Sequence, residues 1–434
     1  MSTADNFKTF LDNIRIDNKE IISGRYGEIT CALNRTYRDT ESKTANSLQV
    51  GSYGRKTAIK GVSDLDMLYI LPEAVWEDYN VPKGQAKLLR HVKEAILYRY
   101  PTTNVVVDTP VVRVLYKDFH IEVLPVFRLE DGFLYPDTRS DGSWKTTKPE
   151  AELRAMREFD AEKNNNLRRL CKMGRAWKNK HGQAMGGLLL DTLAHNFLKS
   201  NTTYDTRSYS SYDEMCRDFF KYMADQPKQV RYAALGSNQW VKVRKSFQRK
   251  AKLAYDLSVE AIAAAGQANE GAKWRKIFGT PFPLTAKVQK SARAGTFRDT
   301  EEFIEDLFPV DIKYSISLEC TVSQDGFREH LLRFMIGQGM LLRPRKSLNF
   351  YIDSCDVPGN YELYWKVLNR GDEAERLDII RGQIVKDTGH REKNETTNFR
   401  GDHVVEIFVV QNGVVVAKDR IHVPITPVAT AAAA

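Results

Sequence analysis

The chain has 434 residues, 42% of them hydrophobic and 28% charged, which predicts a soluble globular protein of two or three domains. No apolar run approaches the roughly 18 residues that span a bilayer, and the polar start MSTADNFKTF is unlike a signal peptide, so a cytoplasmic protein is expected. Five widely spaced cysteines with no CxxC argue against a disulfide framework or zinc, and a net charge of +9 suits a polyanionic partner.

In chain order, the first 46 residues read as helices, with Phe7, Phe10, Leu11 and Ile14 at helical spacing. Residues 51–70 then combine a Gly-Ser turn, a basic helix and two aspartates in one stretch of β-α-β size. LDMLYIL is a buried strand ended by Pro72, and KGQAKLLRHVKEAILYRYP is a helix stopped by Pro101. Three β-branched runs follow: NVVVD, PVVRVLY and FHIEVLPVF.

From about 150 to 265 the pattern is helical, with Leu167, Leu170, Cys171, Gly174 and Trp177 on one stripe and Arg168, Lys172 and Arg175 on a basic one. The run KVRKSFQRKAK, 242–252, has six basic residues and no acid. It fits nucleic acid, nucleoside triphosphates or simply a solvated helix face.

Polar residues 286–312 read as a linker, and beyond them the signal is strands with one amphipathic helix, FREHLLRFMIG. Asn412-Gly413 between two apolar runs marks a hairpin. The division predicted is 1–150 as an α/β core with its N-terminal helices, and 151–295 as a helical lobe. A linker at 296–312, a separate β-sandwich-like domain at 313–425 and a flexible tail at 426–434 complete it.

Asp64 and Asp66 stand two apart at the mouth of a buried strand, where residues i and i+2 share a face. Two carboxylates side by side repel unless a cation lies between them, and a metal ion is the usual solution. Glu122 projects from a later strand on the side opposite Ile121 and Val123, where packing gives a carboxylate no reason to be. Gly51-Ser52 offers a tight turn, backbone N–H groups and a hydroxyl, although GSYGRKT does not fit a Walker A loop. Metals, phosphate donors and an activating group are what phosphoryl transfer from a nucleoside triphosphate needs.

The ordered set G-S-x11-D-L-D followed by I-E-V-L-P resembles the DNA polymerase β-type nucleotidyltransferases. More narrowly, it is similar to bacterial cGAS-like enzymes, the CD-NTases of CBASS antiphage systems, which share a fold with oligoadenylate synthases. PVFRLEDGFLYPDTRSDGSWKTTKPEAE, NNNLRRLCKMGRAWKNK and KWRKIFGTPFPL extend the likeness over about residues 5–285. YWKVLNRG, RGQI and the spaced His390, Glu392, Thr397, Phe399, Gly401 and His403 resemble the adenylyl/guanylyl and SMODS C-terminal sensor domain.

The resemblance implies an ATP-binding enzyme that makes a cyclic di- or trinucleotide second messenger in antiphage defence. Asp64 and Asp66 would hold two Mg2+ ions, Glu122 the ion that activates the acceptor hydroxyl, and Gly51, Ser52, Lys172 and Arg175 the donor triphosphate. Many relatives carry Asp where this chain has Glu122, and Lys where it has Arg175. Tyr135 and Trp144 are read either as base-stacking residues or as core aromatics, and His390 and His403 either as ligand contacts or as strand-end histidines. The tail, ending in Ala434, is read either as a frayed terminus or, since some CBASS synthases are joined through their C-terminal residue to a target, as a conjugation point for a ubiquitin-ligase-like partner. The alternatives are a linear oligonucleotide or RNA-end nucleotidyltransferase, and a non-catalytic nucleotide- or RNA-binding sensor.

Overall fold

The computed structural model describes residues 2–284, 301–324, 328–340, 342, 345–370, 374, 381–397 and 401–425. The expected tail at 426–434 with its conjugation point, residues 296–300 of the linker, and Phe399 lie outside the described residues. No described helix is long and apolar enough to cross a membrane.

The chain divides into two units, one of Met1–Trp177 with Met185–Pro283, the other of Lys178–Ala184 with Leu284–Ala434. The first unit opens with helices α1, Thr3–Asn13, and α2, Lys19–Arg38. Strand β1, Ser47–Gln49, leads into the single-turn α3, Gly51–Gly54, and then into β2, Asp64–Ile70. The basic helix expected after the Gly-Ser turn therefore ends at Gly54. Arg55 and Thr57 are pulled into the interior by buried hydrogen bonds, and Lys56 and Gly61 take positive φ.

Short α4, Trp76–Tyr79, and α5, Gly84–Arg99, precede β3, Asn104–Asp108, β4, Val111–Leu115, and β5, His120–Leu129. β6, Gly132–Asp137, and β7, Ser143–Thr147, extend the sheet. The strand order is β1-β2-β5-β4-β3, with β6 pairing β5 and β7 pairing β6. Only the β2–β5 pairing here is parallel; β1–β2, β4–β5 and β3–β4 are antiparallel.

Strand alternation sorts β2 into two faces. Leu65, Met67 and Tyr69 pack against Ile22, Ile29 and Leu33 of α2 and Leu88, Val92 and Ile96 of α5. Leu68 joins Val50, Val126 and Phe133 on the opposite face. Asp64 and Asp66 share that second face and stay half-buried.

The rest of the unit is largely helical: α6, Pro149–Glu162, α7, Asn166–Lys180, α8, Gly187–Ser200, α9, Tyr212–Asp225, α10, Gln248–Ala263, and α11, Glu270–Phe278. Its core gathers Leu170, Trp177, Leu190, Phe219, Phe220, Trp274 and Phe278. Phe7 and Phe10 of α1 belong to this cluster, with Phe7 edge-on to Trp274 at 5.1 Å. Each such fully buried aromatic contributes about 1.5–3 kcal/mol, so α1 is anchored in the helical core while α2 serves the sheet.

One stretch read as helical is a two-stranded ribbon, β8, Arg231–Ala233, with β9, Trp240–Lys242. It precedes α10, so Lys242 lies on a strand and only Arg249 and its successors on a helix.

Among the described residues, the second unit contains two four-stranded sheets. One holds β10, Ile316–Ser323, β11, His330–Leu331, and β12, Ser347–Cys355; the other holds β13, Glu362–Arg370, and β14, Ile384–Lys386. β15, Glu392–Thr396, joins the first, and β16, Gly401–Gln411, and β17, Val414–Ile425, join the second. Leu318, Phe350, Trp365, Val405 and Ile407 lie in their common core. Asn412 and Gly413 have φ of 51° and 76°, as a tight hairpin turn requires. The amphipathic helix is shorter than expected, Leu332–Gly337, because His330 and Leu331 pair with β10.

Candidate active site

The parallel register of β2 with β5 sets Asp64 opposite His120 and Asp66 opposite Glu122. Strands rise about 3.3 Å per residue and lie about 4.8 Å apart, so same-face side chains at these positions meet at the strand mouths. Ligand atoms of Asp64, His120 and Glu122 lie within 4.8 Å of one another, close enough for one cation.

His120 Nε2 is 2.5 Å from Asp64 Oδ1 and 3.4 Å from Glu122 Oε1. Ser63 Oγ donates to Asp64 Oδ1 at 3.0 Å, and the His120 amide donates to the Ser63 carbonyl at 2.8 Å. Arg113 of β4 stands opposite Glu122, with Nε 3.7 Å from its Oε1 and Nη2 3.0 Å from His120 Nε2. Its Nη1 also reaches Asp108 Oδ2 at 3.1 Å. Two carboxylates, an imidazole and a guanidinium thus converge.

Gly51 closes the other side of Asp66. Its φ is +61°, and a β-carbon there would lie 1.7 Å from Asp66 Oδ2. Only glycine lets the turn's backbone approach that carboxylate. Ser52 is half-buried, and its carbonyl accepts from the amides of Thr57 and Ala58 at 2.9 and 3.0 Å. The turn is therefore folded back on itself.

Behind the turn lies a buried charge cluster. Asp191 of α8, fully buried, accepts from Arg55 Nε at 2.9 Å, from Thr57 Oγ1 at 3.1 Å, and from Arg175 Nη1 and Nη2 at 2.5 and 3.0 Å. Arg55 Nη1 also reaches Glu152 at 3.2 Å. Burial alone would raise the Asp191 pKa, but Arg175 and Arg55 outweigh it and hold it at about 2. Glu152 is pushed up, chiefly by burial.

These contacts divide the two basic residues assigned to the triphosphate. Arg175 is only 6% exposed and spends its guanidinium on Asp191, on the Gly187 carbonyl at 3.3 Å and on the Cys171 carbonyl at 3.3 Å. It braces α7 against α8 through these contacts. Lys172 is half-buried, and its pKa is lowered first by burial and then by the cations Lys19, Arg168 and Arg15, against Asp160. Such a concentration of positive charge favours an arriving polyanion.

The aromatic candidates are half-buried and pack against the core. Trp144 packs 5.0 Å from Trp76 and 5.4 Å from Phe127, and its indole N–H donates to Asn80 at 3.2 Å. Tyr135 packs against the cluster of Leu68 and Phe133. His403 is buried, with Nδ1 2.7 Å from Asn369 Oδ1, and burial lowers its pKa to about 4.

His120 is the site residue that sequence reasoning passed over. It stands two residues before Glu122 on the same strand face, and that spacing was the available signal.

Residues 1–160 match the Second Messenger Oligonucleotide or Dinucleotide Synthetase domain. Residues 298–426 match the Adenylyl/Guanylyl and SMODS C-terminal sensor domain. No curated protein matches the chain. Among solved structures, the Escherichia coli CdnC–HORMA complex superposes with a TM-score of 0.48 at 14% identity, covering 64% of this chain and 98% of CdnC. Apo DncV of Vibrio cholerae gives 0.45 at 16% identity, over 55% and 69%. The CdnE c-di-GMP synthase of Capnocytophaga granulosa gives 0.44 at 11% identity, over 58% and 85%.

Proposed function

We infer that this chain, a bacterial cGAS-like nucleotidyltransferase of polymerase β-type fold with a C-terminal sensor domain, joins nucleoside triphosphates into a cyclic di- or trinucleotide. The observation that carries the reading is the β2–β5 register, which brings Asp64 and Glu122, with His120 beside them, within reach of one cation and sets Asp66 across from Glu122. The cluster fits a divalent metal: carboxylate oxygens on two strands, within reach of one ion. Two Mg2+ ions would supply charge neutralisation at the triphosphate and a more acidic acceptor hydroxyl.

Asp64 and Asp66 would hold the ions, with Glu122 as a further ligand. Gly51 and Ser52 bring backbone N–H groups and a hydroxyl to the donor triphosphate, and Lys172 adds charge. The acceptor's ribose oxygen forms a bond to the donor's α-phosphorus, the bond from that phosphorus to the bridging oxygen breaks, and pyrophosphate leaves. The hydroxyl proton passes to solvent. Repeated and closed on itself, the reaction gives a ring. We place this activity in the cytoplasm, in a CBASS-type antiphage response in which the sensor domain governs synthesis. Labelled nucleotides incubated with protein and Mg2+, followed by product separation, test it.

A second, compatible reading concerns the ribbon β8–β9. Residues 226–255 carry eight basic residues and no acid. Arg231, Ala233, Trp240 and Lys242 share its solvent face, Trp240 is 60% exposed, and the Arg231 guanidinium carbon sits 4.2 Å over its ring. An exposed aromatic among cations is a stacking platform for single-stranded nucleic acid.

A further inference from the structure

Resting on the cation site just proposed, we propose that His120 is itself a metal ligand, which makes the site a mixed nitrogen–oxygen one that prefers Mn2+ to Mg2+.

Two demands conflict at one atom. His120 is 5% exposed, and its Nε2 lies 2.5 Å from Asp64 Oδ1 and 3.0 Å from Arg113 Nη2. The carboxylate calls for a proton on Nε2, whereas the guanidinium N–H calls for its lone pair. One ring nitrogen cannot meet both demands. A divalent cation resolves them: it takes the Nε2 lone pair and binds the Asp64 oxygen, and Arg113 keeps its partner Asp108 at 3.1 Å. Glu122 Oε1, 3.4 Å from the same nitrogen, is the third ligand to hand.

The strand pattern makes this arrangement a fixed one. His120 and Glu122 are i and i+2 on one face of β5, and the parallel register puts Asp64 directly across from His120. The His120 main chain is pinned next to Asp64 by its amide, which donates to the Ser63 carbonyl at 2.8 Å. At the ion that His120 reaches, the donors to hand are two carboxylates and one imidazole rather than carboxylates alone. Mg2+ favours oxygen ligands and keeps its waters, while imidazole suits first-row transition ions, and carboxylates accept Mn2+ as readily as Mg2+.

The test is a titration of metal-free full-length protein with Mn2+, following the free ion by electron paramagnetic resonance and competing with Mg2+. Pulsed spectra of the bound ion should show nitrogen-14 modulation from the imidazole. His120→Gln should abolish that modulation and weaken Mn2+ at least about tenfold, while Mg2+ changes less than about twofold. Bound Mn2+ that shows no nitrogen modulation in the wild type would overturn the proposal whether or not the variant folds. So would modulation that persists in folded His120→Gln. Absence of Mn2+ binding, or binding unchanged in Asp64→Asn, would instead overturn the underlying cation site.

Discussion

The α-carbon of Gly51 faces the carboxylate of Asp66 so closely that a β-carbon on it would sit 1.7 Å from Oδ2. The turn and the acid are thus built as one unit, and the substitution Gly51→Ala tests it. The methyl must displace either the turn or Asp66, and the φ of +61° adds about 1 kcal/mol of strain. Nucleotide incorporation should fall by about 100-fold or more, the loss that misplacement of a reacting group by about 1 Å produces. The melting temperature should fall by only a few degrees, roughly what 1 kcal/mol gives in a domain of this size.

Asp191 should tie stability to acid pH. Its folded pKa of about 2 lies below the usual unfolded value near 3.9. The stabilisation it carries is therefore fully present above about pH 4 and is lost as pH falls through about 2. Asp191→Asn, which leaves Arg55 and Arg175 buried without their counter-charge, should cost about 3–5 kcal/mol near neutral pH. Urea unfolding between pH 2 and 7 measures both: the wild-type curve should drop at the acid end, and the variant should be low and flatter throughout.

Lys172 and Arg175 should separate in kinetics. Lys172→Ala should raise the apparent KM for nucleotides several-fold and weaken its salt dependence, with a near-normal melting temperature. Arg175→Ala should lower the melting temperature markedly, because it strips a guanidinium from fully buried Asp191. Equal KM effects with equal stability would contradict the division.

The ribbon gives a binding test. Filter binding of single-stranded RNA and DNA should show an affinity that falls steeply with salt. Trp240→Ala should weaken it by about 1–3 kcal/mol, and replacing Arg231 and Lys242 should reduce the salt slope. Binding insensitive to Trp240 would leave the face as solvated charge.

Much of the site was legible because its logic is local. Asp64 and Asp66 share a face by strand alternation alone, and the same rule singled out Glu122 from Ile121 and Val123. The fold class followed from the family resemblance that the order of these signals carries. What escaped depends on distant partners. His120 matters through a strand register that no short window contains. Arg175 lies one turn from Lys172 on α7, so helical spacing groups them, but Asp191 reaches across from α8 and claims one of the pair. The ribbon at 231–242 has only three residues per strand, too few for alternation to compete with the helical pattern around it.

The central claim is that the acids of β2 and β5 serve synthesis of a cyclic nucleotide. The direct measurement is incubation of wild type and of Asp64→Asn/Asp66→Asn with Mg2+ or Mn2+ and labelled nucleoside triphosphates, then phosphatase treatment, nuclease digestion and mass spectrometry. The account predicts a phosphatase-resistant cyclic product from the wild type, with pyrophosphate released, and none from the folded double variant. Equal product from the double variant, or only linear phosphatase-sensitive products from the wild type, would contradict it.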